Sequence, residues 1–257
     1  MFNSNQWKSA LLATVAAAGL YIPSAEAGQR RFVYNYETLT APKGSIEFEN
    51  WVTWKHTDLP GGDDEDVYQF RHEIEFGLTD KLQLGIYLAD WDYNEDDEEG
   101  HSERYKGSGF EIIYNLTNPN TDFIGSALYA EMIIGERMVK LEGKLLLEKR
   151  WGKFGVVANT VLEAEWEGDD YHDETGEFQQ TFGVSYDISK SFSVGAEAFL
   201  EIEMPDWDET ESGRFFVGPN VSYRHGRFYG TLAWLWQTTH IADEPDFQPR
   251  LIVGFDF

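Results

Sequence analysis

The sequence predicts an all-β fold, a transmembrane antiparallel up-and-down β-barrel of about twelve strands. Three observations lead there. In the last stretch, Phe247, Pro249, Leu251, Val253, Phe255 and Phe257 place an apolar side chain at every second position, while Asp246, Gln248, Arg250 and Asp256 take the opposite face. A period of two is the mark of a strand with one apolar and one wet face, and an aromatic-ended strand of this kind needs a partner along its edge. Upstream, about twelve such segments are joined by connections that alternate short and long, the rhythm of barrels with tight periplasmic turns and longer outer loops. At the other end, Lys8, an apolar run from Ala10 to Ile22, Pro23 and the small-residue pattern Ala25, Glu26, Ala27 read as a secretory signal peptide.

Residues 1–27 are thus expected to be a signal peptide cleaved after Ala27, the run being shorter than the ~20 residues a helical span needs. Residues 28–44 read as an N-terminal periplasmic segment, and 45–257 as the barrel. Strands are predicted at 45–57, 66–78, 82–92, 105–116, 122–134, 139–150, 154–167, 177–188, 192–204, 214–224, 228–238 and 246–257. Tight connections fall at 79–81, 117–121, 151–153, 189–191 and 225–227. Longer ones fall at 58–65, 93–104, 168–176 and 205–213, with a short exception near Gly135 and Glu136. An even count places both termini on the periplasmic side of a Gram-negative outer membrane.

Face assignments agree strand by strand. The ninth strand puts Phe192, Val194, Ala196, Ala198, Leu200 and Ile202 opposite Ser193, Gly195, Glu197, Glu201 and Glu203, with Phe199 out of place. The seventh sets Val156, Ala158, Leu162 and Trp166 against Asn159, Glu163, Glu165 and Glu167. The second sets Tyr68, Phe70, Ile74 and Phe76 against Gln69, Arg71, Glu73 and Glu75, with His72 a misfit on the apolar side. A β-sandwich also alternates, but its polar face meets solvent and mixes signs, with lysine common. Here glutamate dominates, interspersed with Lys55, Arg71, Lys140, Lys144, Arg214 and Arg250, as ion pairs lining a lumen would be.

Composition excludes several classes of function. Cysteine is absent, so disulfides, thiol catalysis and lipid-modified cysteine are out. The 46 acidic residues outnumber 20 basic ones for a net charge of −26, which argues against a nucleic-acid partner. Aromatic residues make up 16 % of the chain. Trp54, Trp91, Tyr93, Trp166, Tyr171, Trp207 and Trp236 toward the long loops, and Trp151 toward the short turns, are placed as an interfacial girdle would be.

Leu39, Thr40, Ala41, Pro42, Lys43 and Gly44 lead into residues 45–55, a proline-lysine-glycine turn before a first strand rich in glutamate and tryptophan. This opening resembles that of an uncharacterised family of Gram-negative outer-membrane β-barrels, similar in style to outer-membrane transporters related to a phenol-degradation pathway protein. The resemblance implies the barrel and its membrane placement and assigns no functional residue.

Acidic clusters fill the predicted long connections: Asp63 to Asp66, Glu95 to Glu99, Asp169 to Glu174, and Asp206 to Glu211. Carboxylate-rich loops can hold divalent cations, but none has an EF-hand spacing, and a solvated anionic rim sharing ions with lipopolysaccharide is the expectation. His56, His72, His101, His172, His225 and His240 show no lipase-like glycine-serine pattern or paired-carboxylate motif, so the chain is read as no enzyme, with no catalytic, cofactor-binding or metal residues. Expected partners are outer-membrane lipid, lipopolysaccharide and the barrel-assembly machinery, the last through the strand ending at Phe257.

The function expected is passive passage of small solutes with cation preference, through a lumen whose charged rings set selectivity. Candidate lining residues are Glu47, Glu49, Arg71, Glu73, Glu75, Glu111, Glu131, Glu142, Glu163, Glu165, Glu197, Glu201 and Glu203. Inward glycines such as Gly85, Gly155, Gly183, Gly195 and Gly218 are expected to leave space. A filled, non-conducting barrel with a structural or surface-binding role is the second reading, since twelve strands lie between side-chain-filled and channel-forming sizes.

Overall fold

The computed structural model describes residues 30–59, 64–96, 100–242 and 244–257. The expected signal peptide and the acidic positions Asp63, Asp97, Glu98 and Glu99 lie outside the described residues. The alternating segments form twelve strands: β1 (Ile46–Asp58), β2 (Asp64–Thr79), β3 (Leu82–Asp96), β4 (Gly100–Thr117), β5 (Gly125–Ile134) and β6 (Met138–Trp151), then β7 (Phe154–Glu167), β8 (Asp173–Asp187), β9 (Phe192–Pro205), β10 (Arg214–His225), β11 (Phe228–Gln237) and β12 (Phe247–Asp256). Each pairs antiparallel with its neighbour in sequence, and β1 pairs β12 from Glu47↔Asp256 to His56↔Phe247, closing the sheet. Closure leaves no open edge.

Period-two alternation directs large apolar side chains outward, including Leu128, Leu145, Leu162, Phe182, Val184 and Leu232, as lipid-facing residues require. Toward the loop end, Trp54 stacks on Tyr68 and meets Phe247 edge-on at 5.1 Å, while Phe70 and Trp91 stack at 4.2 Å. The misfit His72 does face outward. Its Nδ1 lies 2.7 Å from Asn50 Oδ1, and Trp91 Nε1 donates to its Nε2 at 3.4 Å, so its polar atoms are paired within the wall.

Strand ends differ from the sequence reading in two ways. The connections expected at 58–65, 93–104 and 168–176 shrink to 59–63, 97–99 and 168–172, because β2, β3, β4, β7 and β8 continue pairing beyond the 9–11 residues that cross a membrane. Cross-strand contacts such as Tyr68–Tyr93 and Tyr93–His101 support the extension, so much of the acidic sequence lies on projecting hairpins. Conversely, the strand expected from 122 begins at Gly125. Asp122 Oδ2 accepts the Asn118 N–H at 2.7 Å and Asn118 Oδ1 accepts that of Asn120 at 2.8 Å, a local turn that outcompetes the ladder.

A register shift in β3 between Tyr87 and Asp90 changes which face the strand presents. Gln83, Gly85 and Tyr87 point inward, and past the bulge so do Asp90 and Asp92. This aims Asp90 at Arg71, 2.8 Å away.

Candidate functional site

The first described residues turn back into the barrel. Pro42 to Gly44 form the turn that precedes β1: Ser45 donates to the Pro42 carbonyl and the Gly44 N–H to that of Gly77, with Gly44 at φ +84°, a conformation glycine adopts without strain. Ahead of it, residues 30–41 run through the half of the lumen nearest the short turns. They make no regular secondary structure, so each buried backbone group needs a partner from the wall.

The wall supplies them. Glu197 Oε1 accepts the Val33 N–H at 2.9 Å, and its Oε2 accepts those of Tyr34 at 2.8 Å and Asn35 at 3.1 Å. Asn159 accepts from the Tyr36 N–H and donates back to its carbonyl; Glu148 accepts from both the N–H and the hydroxyl of Thr38. Asn115 donates to the Thr38 carbonyl, Gln83 accepts the Ala41 N–H, and Ser222 and Thr231 both donate to the Arg30 carbonyl. Side chains complete the fit. Phe32 lies where a Cβ on Gly183 would sit, and Val33 and Tyr36 join Trp51, Tyr129, Leu146 and Phe199 in a buried apolar cluster.

Arg30 pairs with Glu49 at 2.8 Å and lies over the Trp51 ring at 4.6 Å. Arg31 pairs with Asp187 and Glu37, and Arg150 pairs with Glu37 and Glu148. The segment is therefore a plug pinned by charge at its entry and by backbone hydrogen bonds along its course.

Beyond the plug the lumen opens into a vestibule of about 440 Å³ whose floor is Val33, Tyr34 and Tyr36. Tyr36 also borders a smaller cavity of about 120 Å³ on the turn side, so its ring stands between the two. Six cations line the vestibule, Lys55, Arg71, Lys106, Lys140, Lys144 and Arg250, all on the arc from β12 through β6. Five carboxylates, Glu163, Glu165, Glu177, Glu201 and Glu203, occupy the arc β7–β9; Asp90, Glu131 and Glu142 stand among the cations. Pairs cross or join these arcs: Lys140–Glu163 at 3.0 Å, Lys144–Glu142 at 2.8 Å and Arg71–Glu131 at 3.3 Å. At the acidic rim Arg214 holds Glu201 at 2.7 Å, Glu203 at 2.5 Å and Glu244 at 2.5 Å.

The thirteen candidates read from sequence all point inward but divide into two sets. Arg71, Glu131, Glu142, Glu163, Glu165, Glu201 and Glu203 line the vestibule. Glu47, Glu49, Glu73, Glu75, Glu111 and Glu197 are buried at the level of the plug, which keeps them off the vestibule surface. The expected glycine space is also taken up: Gly85 lies against Glu73 and Glu111, Gly183 against Phe32, and Gly195 against Asn220. Sequence alternation alone does not single out the plug, Glu177, Glu148 or Asn159. Asparagines at inward positions of strands were the available signal, because asparagine is depleted there unless its amide has something to bond.

No curated protein matches the sequence. A family model described as a family of unknown function (DUF6662) matches residues 24–244. Among solved structures, the fold is similar to an outer-membrane channel from Pseudomonas putida F1, with TM-score 0.65 and 13 % identity over 88 % of this chain and 100 % of that one. It is also similar to the NanC porin, with TM-score 0.51 and 8 % identity over 82 % and 98 %. The translocator domain of the autotransporter NalP from Neisseria meningitidis gives TM-score 0.50 and 11 % identity over 98 % and 96 %. The fold is thus that of the outer-membrane β-barrels.

Proposed function

The chain belongs to the DUF6662 family, and from the geometry of its lumen we propose that it is an outer-membrane channel for small solutes, gated by its own N-terminal segment. The turn end with the plug faces the periplasm and the vestibule faces outward. The observation that carries the reading is the division of labour in the lumen. One half is specified residue by residue to seat residues 30–41, and the other is a charged, water-accessible vestibule that ends on them.

A side-chain-filled barrel has no need of a vestibule with opposed basic and acidic arcs. Such arcs set a field across the path of a solute, orienting charged or dipolar molecules over the Tyr36 floor. Eight carboxylates against six cations give the vestibule a weak preference for cations, far smaller than the net charge of the chain suggests. Passage then requires the plug to shift, which its hydrogen-bonded rather than covalent seating permits.

The test is conductance in planar bilayers under a salt gradient. The refolded full-length barrel is expected to show small or rare openings. A variant lacking residues 30–40 is expected to give large, sustained steps with modest cation selectivity. A folded deletion variant as silent as the parent would overturn the proposal and favour the filled, surface-binding barrel.

A further inference from the structure

We infer that Glu49, Glu73 and Glu75 form a binding site for a hard divalent cation of the calcium class, buried in the wall beside the plug. Their carboxylate oxygens lie within 4.8 Å of one another. That spacing suits oxygens around one calcium ion, since two ligands on opposite sides of it are separated by about twice the ~2.3–2.6 Å calcium–oxygen distance. All three side chains are buried.

Proximity of acids alone says little, and Glu73 supplies the independent observation. It is 0 % exposed and neither of its oxygens has a hydrogen-bond partner. A buried carboxylate without a donor is costly unless something else neutralises it. Adjoining Glu111 is equally buried, with its Oε1 also unpartnered, and Gly85 lies against both.

The elements packed around the cluster supply little positive charge. From the plug, Arg30 is committed to Glu49. Arg71, the next inward residue of β2, is committed to Asp90 and Glu131. Neutral donors add to these: Tyr229 from β11 bonds Glu47 and Glu49, Trp51 bonds Glu49 at 2.7 Å, and Tyr87 from β3 bonds Glu111 at 2.5 Å, while Asp256 adds a further carboxyl group beside Glu47. Of the five buried carboxylates, counting Glu47, Glu49 is ion-paired, to Arg30; Arg71 and Lys144 act on Glu73 and Glu111 only through space. The donor set is oxygen only, which selects calcium-like over soft metals. The 120 Å³ cavity reaches Glu49 and Glu75 and gives the ion a way in from the turn end. An ion there draws together β1 and β2 at the root of the barrel, next to Arg30 and under Tyr36.

The experiment uses the full-length barrel in detergent, stripped with a chelator and then titrated with calcium chloride. Wild type is expected to gain several degrees in unfolding temperature, and Glu73→Gln to lose that gain, while Glu136→Gln in the exposed connection between β5 and β6 retains it. An equal gain in wild type and Glu73→Gln would overturn the site by placing the ion elsewhere, on the acidic hairpins. No gain in wild type would overturn it in favour of carboxylates that share protons. Should Glu73→Gln fail to fold, anomalous diffraction from wild-type crystals soaked in manganese chloride decides. A peak among Glu49, Glu73 and Glu75 supports the site, and peaks confined to other positions refute it.

Discussion

Asn159 holds the backbone of Tyr36 from both sides, its Oδ1 accepting the Tyr36 N–H at 2.7 Å and its Nδ2 donating to the Tyr36 carbonyl at 3.1 Å. One side chain thereby does for the plug what a neighbouring strand does in a sheet. Because the Tyr36 ring separates the vestibule from the inner cavity, this amide controls the floor of the lumen.

Replacing Asn159 with leucine keeps the volume and deletes both bonds. Leaving a buried N–H and carbonyl unpaired costs about 2 kcal/mol, so local opening should become roughly thirtyfold more frequent. Hydrogen exchange read by mass spectrometry over residues 33–38 should accelerate while that of β7 itself does not. Unchanged exchange would mean that the plug is held elsewhere.

Glu197→Gln sets an amide N–H₂ against the backbone donors that the carboxylate now receives. Hydrogen bonds to charged acceptors are worth about 1.5–3 kcal/mol, making this the more severe variant. Trypsin offers a direct readout. The bond after Arg31 precedes Phe32, which is 1 % exposed, so the folded wild type should resist cleavage there. The variant should be cut with the barrel still intact.

Neutralising Glu163, Glu165 and Glu201 together leaves five carboxylates against six cations in the vestibule. The reversal potential under a salt gradient should move toward anion preference, and more so at low salt, where screening is weaker. A reversal potential that does not move would remove these residues from the conduction path.

On the outward face, His72 and Asn50 satisfy one another across β1 and β2. Changing either one alone to leucine strands the other in an apolar setting and should lower barrel stability by about 1–3 kcal/mol. The double change should recover the part of the His72→Leu loss that comes from stranding Asn50, since removing both partners of a bond can be nearly neutral, while Trp91 Nε1 still lacks the acceptor that His72 Nε2 gave it. Refolding equilibria in lipid vesicles would measure the cycle.

The sequence by itself determined the barrel. Twelve strands and, outside the β3 bulge, their inward and outward faces follow from a period of two, a local property that each segment carries alone, and the aromatic-ended last strand calls for the edge partner that β1 supplies. Even the oddities were legible there: Phe199 inside and His72 outside stood out as breaks in alternation. Only the tertiary structure decided what fills the lumen. The residues that seat the plug come from strands as far apart as β3 (Gln83), β7 (Asn159), β9 (Glu197) and β11 (Thr231), and nothing in the local pattern of any strand reports that they converge. The same convergence separates glutamates that look alike in sequence. Glu201 lines the vestibule and Glu197, four residues earlier on the same face of β9, binds the plug, because two turns of the alternation carry the chain from the open half of the lumen into the packed half.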